Sequence, residues 1–370
     1  VSSIAKRPDG TYRARYRDAA NREHSRHFAR KVDAQKWLND VTAAVVDGRY
    51  VDPGRQRVTL GDWSRSWLAQ QGHLKPSTRA RYTGIVNRHI LPRWENVRLS
   101  QVAHEDVAAW TSSLTDAGLA PATVRYIHCV MYLVLDLAVR GGRLPRNPAD
   151  GVKLPKAAKP PKKYLTHEQV AKLADAADDY ALLIRVLSYC GLRWGEVAAL
   201  RVRDVDLLRR RLHVVESVIE VGGRLVWGTP KSGSDRTVPI PTFIVDDLAA
   251  ALAGKSSDDL VFTGRRGGVL RNLNFRRDVF DDAADDAGLA GLTPHELRHT
   301  AASLAVSAGA NVKAVQRMLG HSSAAMTLDV YADLFDEDLD AVADRLDEAA
   351  RRAVADSLRT AEIVDLRSRH

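Results

Sequence analysis

The stretch Lys153–Lys163, KLPKAAKPPKK, sets the tightest limit on what this chain can fold into. Its prolines fix φ and remove backbone donors, so neither a helix nor a sheet ladder runs through it. Its lysines repel one another and keep it extended and solvated. The chain on either side therefore folds as separate blocks, and 370 residues are enough for two or three domains with real cores.

The balance of 55 Lys+Arg against 46 Asp+Glu, net +9, favours a polyanionic partner, and also fits a ribosome-associated or merely soluble protein. Only two cysteines occur, Cys129 and Cys190, each in an apolar helical stretch. They read as buried free thiols in a reducing compartment rather than a disulfide. No apolar run is read as reaching membrane-spanning length and no signal peptide is seen, so the expectation is a cytoplasmic protein with no membrane partner.

Three blocks flank the linker. In residues 1–55, Ser2 to Lys6 is strand-like and Pro8-Asp9-Gly10 is a turn signal. Tyr12 to Arg17 alternates with period two, setting Arg13, Arg15 and Arg17 on one face and Tyr12, Ala14 and Tyr16 on the other. After a turn near Ala20-Asn21, His24 to Phe28 suits a third strand, and Lys31 to Val46 has helical spacing. The arginine face is either a solvated strand or a ribbon shaped for a DNA groove.

Residues 56–152 read as all helical. Trp63 and Trp67 lie in a first helix. Lys75-Pro76-Ser77-Thr78 opens a second, capped by Ser77 or Thr78 and stopped by Pro92. A third spans His104 to Leu114, and Pro121-Ala122-Thr123 opens a fourth. Helix N-termini point N–H groups outward and favour phosphate. Lys75, Ser77, Thr78, Arg79, Arg81, Thr123 and Arg125 are therefore candidate DNA contacts, with Ser77 and Thr123 as plain caps the alternative. The linker follows at 153–163, either a spacer or a basic strap along a phosphate backbone.

The third block, 164–345, opens on a capping-box pattern, Thr166-His167-Glu168-Gln169. Leu212–Ile219, Gly223–Thr229 and Arg236–Ile240 alternate like one small antiparallel sheet, and the rest is mostly helix. After it, 346–370 forms a tail. Leu339, Val342, Leu346, Ala349 and Ala353 have helical spacing and need an apolar surface to cover, in this domain or on a neighbour.

Within the third block lie Arg193 (Gly-Leu-Arg-Trp-Gly-Glu), Lys231 (Pro-Lys-Ser-Gly-Ser), His295-Glu-Leu-Arg298-His299, Leu-Gly-His321, and Tyr331 about ten residues later. Two arginines, a lysine, histidines and a phenol suit one job: holding a phosphodiester, attacking it with the tyrosine oxygen and protonating the leaving oxygen. The set requires no metal, and no cofactor is expected. This order and spacing resembles the tyrosine recombinase, or phage integrase, family over nearly the whole chain.

The resemblance implies a multidomain, mainly α fold with small sheets. It comprises an arm-type DNA-binding domain of sheet plus helix, a helical core-binding domain and an α+β catalytic domain. It makes Tyr331 the nucleophile of a 3′-phosphotyrosine intermediate. Arg193 and Arg298 clamp the phosphate, and Lys231 protonates the leaving 5′-oxygen. His295 is the candidate base, His321 bonds the phosphate, and His299 braces the site. Glu196 supports Arg193. It further implies a tetramer on two duplexes, a Holliday junction, core-type and arm-type attachment sites, a host DNA-bending protein and an excision factor. The tail would dock on a neighbouring subunit. The chain contains no GxxxxGK[ST] phosphate loop, in keeping with rejoining that needs no ATP.

Two other classes were weighed. Thr293 to Ser323 looks locally like a helix-turn-helix, so a non-catalytic DNA-binding regulator is the alternative. A metal-dependent nuclease would need clustered carboxylates, and Asp281, Asp282, Asp285 and Asp286 lie on a solvated helix pattern. The three histidines match no zinc spacing.

Overall fold

The computed structural model describes residues 2–17, 21–46, 57–157, 162–230, 235–331, 343–344, 346–352 and 354. Several sequence expectations fall outside them: the turn at Ala20, the middle of the linker, Lys231, and the apolar positions Leu339, Val342 and Ala353. The chain divides into two compact units, Val1–Lys159 and Pro160–His370, with the division inside the proline–lysine stretch.

The first unit begins with an antiparallel sheet of β1 (Ser3–Lys6), β2 (Tyr12–Arg17) and β3 (Glu23–Phe28), in that order. Helix α1 (Lys31–Val46) backs it. The period-two pattern works as read: Ala14 and Tyr16 are buried with Ala34 and Leu38, and Trp37 packs edge-on to Tyr16. Arg13, Arg15 and Arg17 project from the other face, where all three lie 3.6–3.9 Å from the carboxylate of Glu23.

The helical part contains α2 (Leu60–Ala69), α3 (Pro76–Ile85), α4 (Leu91–Trp94), α5 (His104–Asp116) and α6 (Pro121–Arg140). Its core is built from Leu60, Trp63, Trp67, Val86, Ile90, Trp94, Trp110, Ile127, Met131 and Leu135. Two local expectations are corrected. Pro92 does not stop the second helix. A π-turn over Val86–Ile90, in which Leu91 N–H donates to Val86 O, carries the chain through to Trp94 with Pro92 in the first turn of α4. The shifted register accommodates the proline's missing donor, and Ile90 and Trp94 still reach the core.

Nor do Ser77 and Thr78 cap α3, or Thr123 α6. Pro76 and Pro121 occupy the first helical position, where their missing N–H costs nothing, so the caps move back to Lys75 and Ala120.

Two composition readings also change. Helix α6 is long and apolar enough, by length and composition, to cross a membrane, contrary to the expectation of no such run. Here its apolar face, Val124 to Ala138, is buried as the core helix of the domain. Cys129 is exposed rather than buried, because it falls on the outer face of the same helix; Cys190 is buried as expected.

The second unit contains α7 (His167–Ala176), α8 (Ala181–Cys190), α9 (Trp194–Val197), β4 (Val205–Asp206), β5 (Arg211–Val214), β6 (Ser217–Val221), β7 (Arg224–Gly228) and β8 (Arg236–Pro239). After them come α10 (Thr242–Leu252), α11 (Asn272–Phe275), α12 (Asp281–Asp286), α13 (Pro294–Ser307), α14 (Val312–Leu319) and α15 (Ala324–Tyr331). Thr166 caps α7 in the expected box with Gln169. The strands form two sheets, not one: β4-β5-β8, and a separate β6-β7 hairpin. The run Leu212–Ile219 breaks at Val215-Glu216. Leu212 and Val214 face the core through β5, while β6 leaves to pack beside α9, where Gly195 lets its backbone approach Val218. Leu346, in a helical stretch beyond α15, is 66% exposed.

Candidate active site

The site is assembled where α8, α9, α13, α14 and α15 end or begin. Two left-handed glycines make the assembly possible. Gly191 (φ 65°) terminates α8 and Gly320 (φ 63°) terminates α14. Glycine adopts this conformation without steric penalty. The space is closed to any larger residue. A Cβ on Gly191 would lie 2.8 Å from Leu319 Cδ2, and one on Gly320 would lie 2.8 Å from Arg236 Cδ. These turns aim carbonyls inward, and the arginines bind them. Arg298, only 3% exposed, donates to Gly191 O and Leu319 O; Arg193 donates to Gly320 O at 3.2 Å.

Arg193 is the N-cap residue of α9, and its backbone N–H donates to Glu196 Oε2 at 2.8 Å. Its guanidinium donates to Glu196 Oε1 at 2.9 Å. Arg236, entering from β8, donates to both oxygens of the same carboxylate at 2.9 and 2.6 Å, and to Met318 O at 3.0 Å. Burial alone would raise the pKa of the fully enclosed Glu196. The bonds from Arg236 and Arg193 outweigh it and hold the carboxyl below its ordinary range. Burial pushes Arg298 down to about 9, with the neighbouring charges of Arg193 and Arg236 adding to the effect, so it stays protonated at neutral pH. Arg193 and Arg236 thus share one carboxylate, while Arg298 is held on carbonyls and feels that carboxylate only through space. Among the described residues the cluster is therefore cationic.

Tyr331, on α15, is 1% exposed. Its hydroxyl lies 2.7 Å from His299 Nδ1, and its ring is parallel to that of His321 at 6.3 Å between centroids. Burial pushes the phenol up to about 12; Arg298 opposes the shift. His299 is pushed down to about 4 by burial and by the charges of His295, Lys162 and Arg298, and is neutral. His321 is likewise pushed down to about 4 by burial and then by Arg298, Arg193 and Arg236; its Nδ1 lies 3.0 Å from Thr327 Oγ1. His295 stands one turn before His299, edge-on at 4.9 Å.

The arrangement thus holds cations for an oxyanion, a hydroxyl with a neutral imidazole on it, and further imidazoles beside it. Such a constellation suits phosphoryl transfer to a tyrosine oxygen.

The phage integrase family description matches residues 163–338, and that of the phage integrase N-terminal SAM-like domain matches residues 59–115. Over 282 residues the chain is 30% identical to the tyrosine recombinase XerC of Mycobacterium sp. (strain JLS), covering 70% of this chain and 89% of that protein. The chain belongs to the phage integrase family. It is a site-specific tyrosine recombinase. The putative prophage phiRv2 integrase of Mycobacterium tuberculosis is 26% identical over 320 residues, 81% of this chain and 82% of its own. The fold is that of the Tn1549 transposon integrase solved with transposon right end DNA (TM-score 0.67, 20% identity, 77% of this chain and 100% of that one). It is also that of the lambda integrase tetramer bound to a Holliday junction (TM-score 0.59, 20% identity, 86% and 95%).

Of the catalytic candidates read from the sequence, Arg193, His295, Arg298, His321 and Tyr331 come together in this recombinase site. Lys231 lies outside the described residues. The histidine on the tyrosine oxygen is His299, which the sequence reading gave only a bracing part, and not His295. Helical geometry decides between them. On α13, His299 faces α15, and His295, one turn earlier, packs edge-on against His299's ring. The helix-turn-helix regulator is not favoured, since the family match spans this segment. Leu297, Arg298, Thr300 and Ala301 of α13 are buried.

The sequence reading passed over Arg236, Thr327 and Lys162. Arg236 left a trace: it shares with Val238 the inward face of β8, where a basic residue needs a buried acid. Thr327 and Lys162 left none.

The DNA-contact candidates all lie in the first unit. Lys75, Ser77, Arg79, Arg81, Thr123 and Arg125 are exposed and Thr78 is half-buried. Arg81 stacks over the ring of Tyr126 at 3.8 Å, bringing the first turns of α3 and α6 together, and Arg125 donates to Pro155 O at 3.4 Å. Asp282, Asp285 and Asp286 are exposed on α12.

Proposed function

We propose that this recombinase cuts DNA with Tyr331 and rejoins it through a 3′-phosphotyrosine bond. The observation that carries the reading is the cation surplus beside the tyrosine among the described residues: Arg193 and Arg236 share the carboxylate of Glu196, and Arg298 bonds only carbonyls. A phosphodiester monoanion supplies the missing charge. Arg193 and Arg298 retain N–H donors beyond those used on carbonyls and fork onto the non-bridging oxygens. His321 adds a further hydrogen bond. The Tyr331 oxygen attacks phosphorus, the bond to the 5′-oxygen breaks, and the phenol proton passes to His299, with His295 behind it. Lys231, by family resemblance, gives its proton to the leaving 5′-oxygen. The ester keeps the bond energy, and the reverse attack by a 5′-hydroxyl restores the strand.

Around this chemistry the protein integrates and excises a phage or mobile element as a tetramer, exchanging one strand pair at a time through a Holliday junction. Residues 56–152 grip core-type sites through Lys75, Ser77, Thr78, Arg79, Arg81, Thr123 and Arg125. Residues 1–55 read arm-type sites with Arg13, Arg15 and Arg17. A host DNA-bending protein and an excision factor complete the assembly, in the cytoplasm of a bacterial host and on its nucleoid.

The polarity of the intermediate tests the reading. On a nicked suicide substrate in EDTA, the protein should become covalently attached and leave a free 5′-hydroxyl that a polynucleotide kinase can label. A strict magnesium requirement for cleavage, or protein attached to the 5′ end, overturns it.

A further inference from the structure

The end of the linker is stitched to the second unit at three successive points. Lys162 Nζ donates to Val330 O, Lys163 Nζ donates to Ala290 O at 2.8 Å, and Leu165 N–H donates to Thr300 Oγ1 at 3.1 Å. The first of these contacts bears on the site. Val330 directly precedes Tyr331 on α15. The ammonium of Lys162 sits on that carbonyl and lies 5.6 Å from the centre of the Tyr331 ring, within cation–π range. One side chain thus holds the carbonyl just before Tyr331 and the face of the Tyr331 ring. Tyr331 itself is enclosed, with Tyr164, two residues after Lys162, packing on it at 6.5 Å between centroids. At 1% exposure the side chain is closed to a duplex phosphodiester until this enclosure opens, while its bond to His299 is the one the proton transfer uses.

We propose that Lys162 is a positioning residue, a latch by which the linker holds Tyr331 in its enclosed resting place until the linker lysine is drawn away. The proposal rests on the reading of Tyr331 as nucleophile. Its physical basis is competition for one ammonium group. A backbone carbonyl offers only a partial charge, and a DNA phosphate carries a full one. A phosphate that engages the linker therefore takes Lys162 from Val330 and loosens the hold on Tyr331. Lys162 is exposed, so its replacement removes the latch without opening a cavity in the core.

The test reads the exposure of Tyr331 directly. Full-length DNA-free protein is treated with tetranitromethane, and nitration of each tyrosine is followed by peptide mapping, with half-buried Tyr189 as internal reference. In Lys162→Ala, nitration of Tyr331 should rise about threefold to tenfold, the range expected for losing one charge-assisted hydrogen bond near the surface, while Tyr189 is unchanged. Lys162→Arg, which keeps charge and donors, should restore the protection. On a nicked suicide substrate, Lys162→Ala should form covalent adduct at least as fast as the parent.

Unchanged protection of Tyr331 in Lys162→Ala overturns the latch, as does a rise at Tyr189 as well, which would mark general loosening. Slower adduct formation that Lys162→Arg repairs also overturns it, by placing Lys162 on the productive side of the reaction. Failure of the underlying reading is separable, because it would appear as an adduct that survives Tyr331→Phe.

Discussion

At the scale of single residues, the site turns on Glu196. Its carboxylate bonds both Arg193 and Arg236 and fixes them together. Glu196→Ala leaves Arg236 buried without its counterion. It should destabilise the second unit by about 3 kcal/mol, measured by urea unfolding, as breaking a buried ion pair typically does. Arg193→Lys keeps the charge and loses the planar fork that bonds both a carboxylate and a phosphate. Adduct formation should fall by roughly 10²–10³ while binding to core DNA changes little. A loss below about tenfold would show that the fork is not what holds the developing charge.

Arg193, Arg298, His321 and Tyr331 were legible in the sequence because their spacing in the chain is itself a signature. The positions of Arg236 on Glu196 and of His299 on the Tyr331 hydroxyl were not. Both depend on which side of an element faces the site, and that is set by packing between elements far apart in sequence.

At the scale of elements, two helix ends do the positioning. Gly320→Ala would place a methyl group 2.8 Å from Arg236 Cδ in a left-handed backbone. The backbone strain alone is roughly 1–2 kcal/mol, and Arg236 must also move off Glu196. The variant should show a lowered unfolding midpoint together with reduced adduct formation. If it cleaves like the parent, Arg236 and the Gly320 carbonyl are not needed to hold Arg193.

Helix existence was read well where apolar periodicity was long, as in α1 and α6. Boundaries failed where backbone chemistry intervened. Pro92 read as a stop, and a π-turn carried the helix past it; Ser77 and Thr123 read as caps, and a proline ahead of each moved the cap back. The strands of the second unit were found but assigned to one sheet, because alternation gives a strand's faces and not its neighbours.

At the scale of the whole molecule, the account predicts a modular protein with a pH-sensitive site. A fragment from residue 56 onward should retain core-site cleavage and lose arm-site binding, and arm binding by the full chain should fall steeply with salt as arginine contacts release counterions. Equal arm binding by the fragment would remove the reading role from the β1–β3 sheet.

His299 and His321 titrate near 4 when folded and near 6.5 in an unfolded chain. Between those values the unfolded state binds more protons. The stability the two histidines contribute is therefore complete above about pH 6.5 and lost as pH falls from there to 4. Unfolding midpoints should drop across that window, and His299→Phe should flatten part of the slope. Tyr331 acts at the other end: its raised pKa makes its contribution complete below about pH 10 and lost as pH rises to 12.

All of this depends on one atom, the phenol oxygen of Tyr331. The protein should be trapped on a nicked core-site duplex in EDTA, digested, and the nucleotide-bearing peptide sequenced by mass spectrometry. The account predicts a single phosphotyrosyl linkage at Tyr331, absent from Tyr331→Phe protein that still binds the duplex. A linkage mapped to any other residue, or an undiminished adduct in the phenylalanine variant, would contradict it.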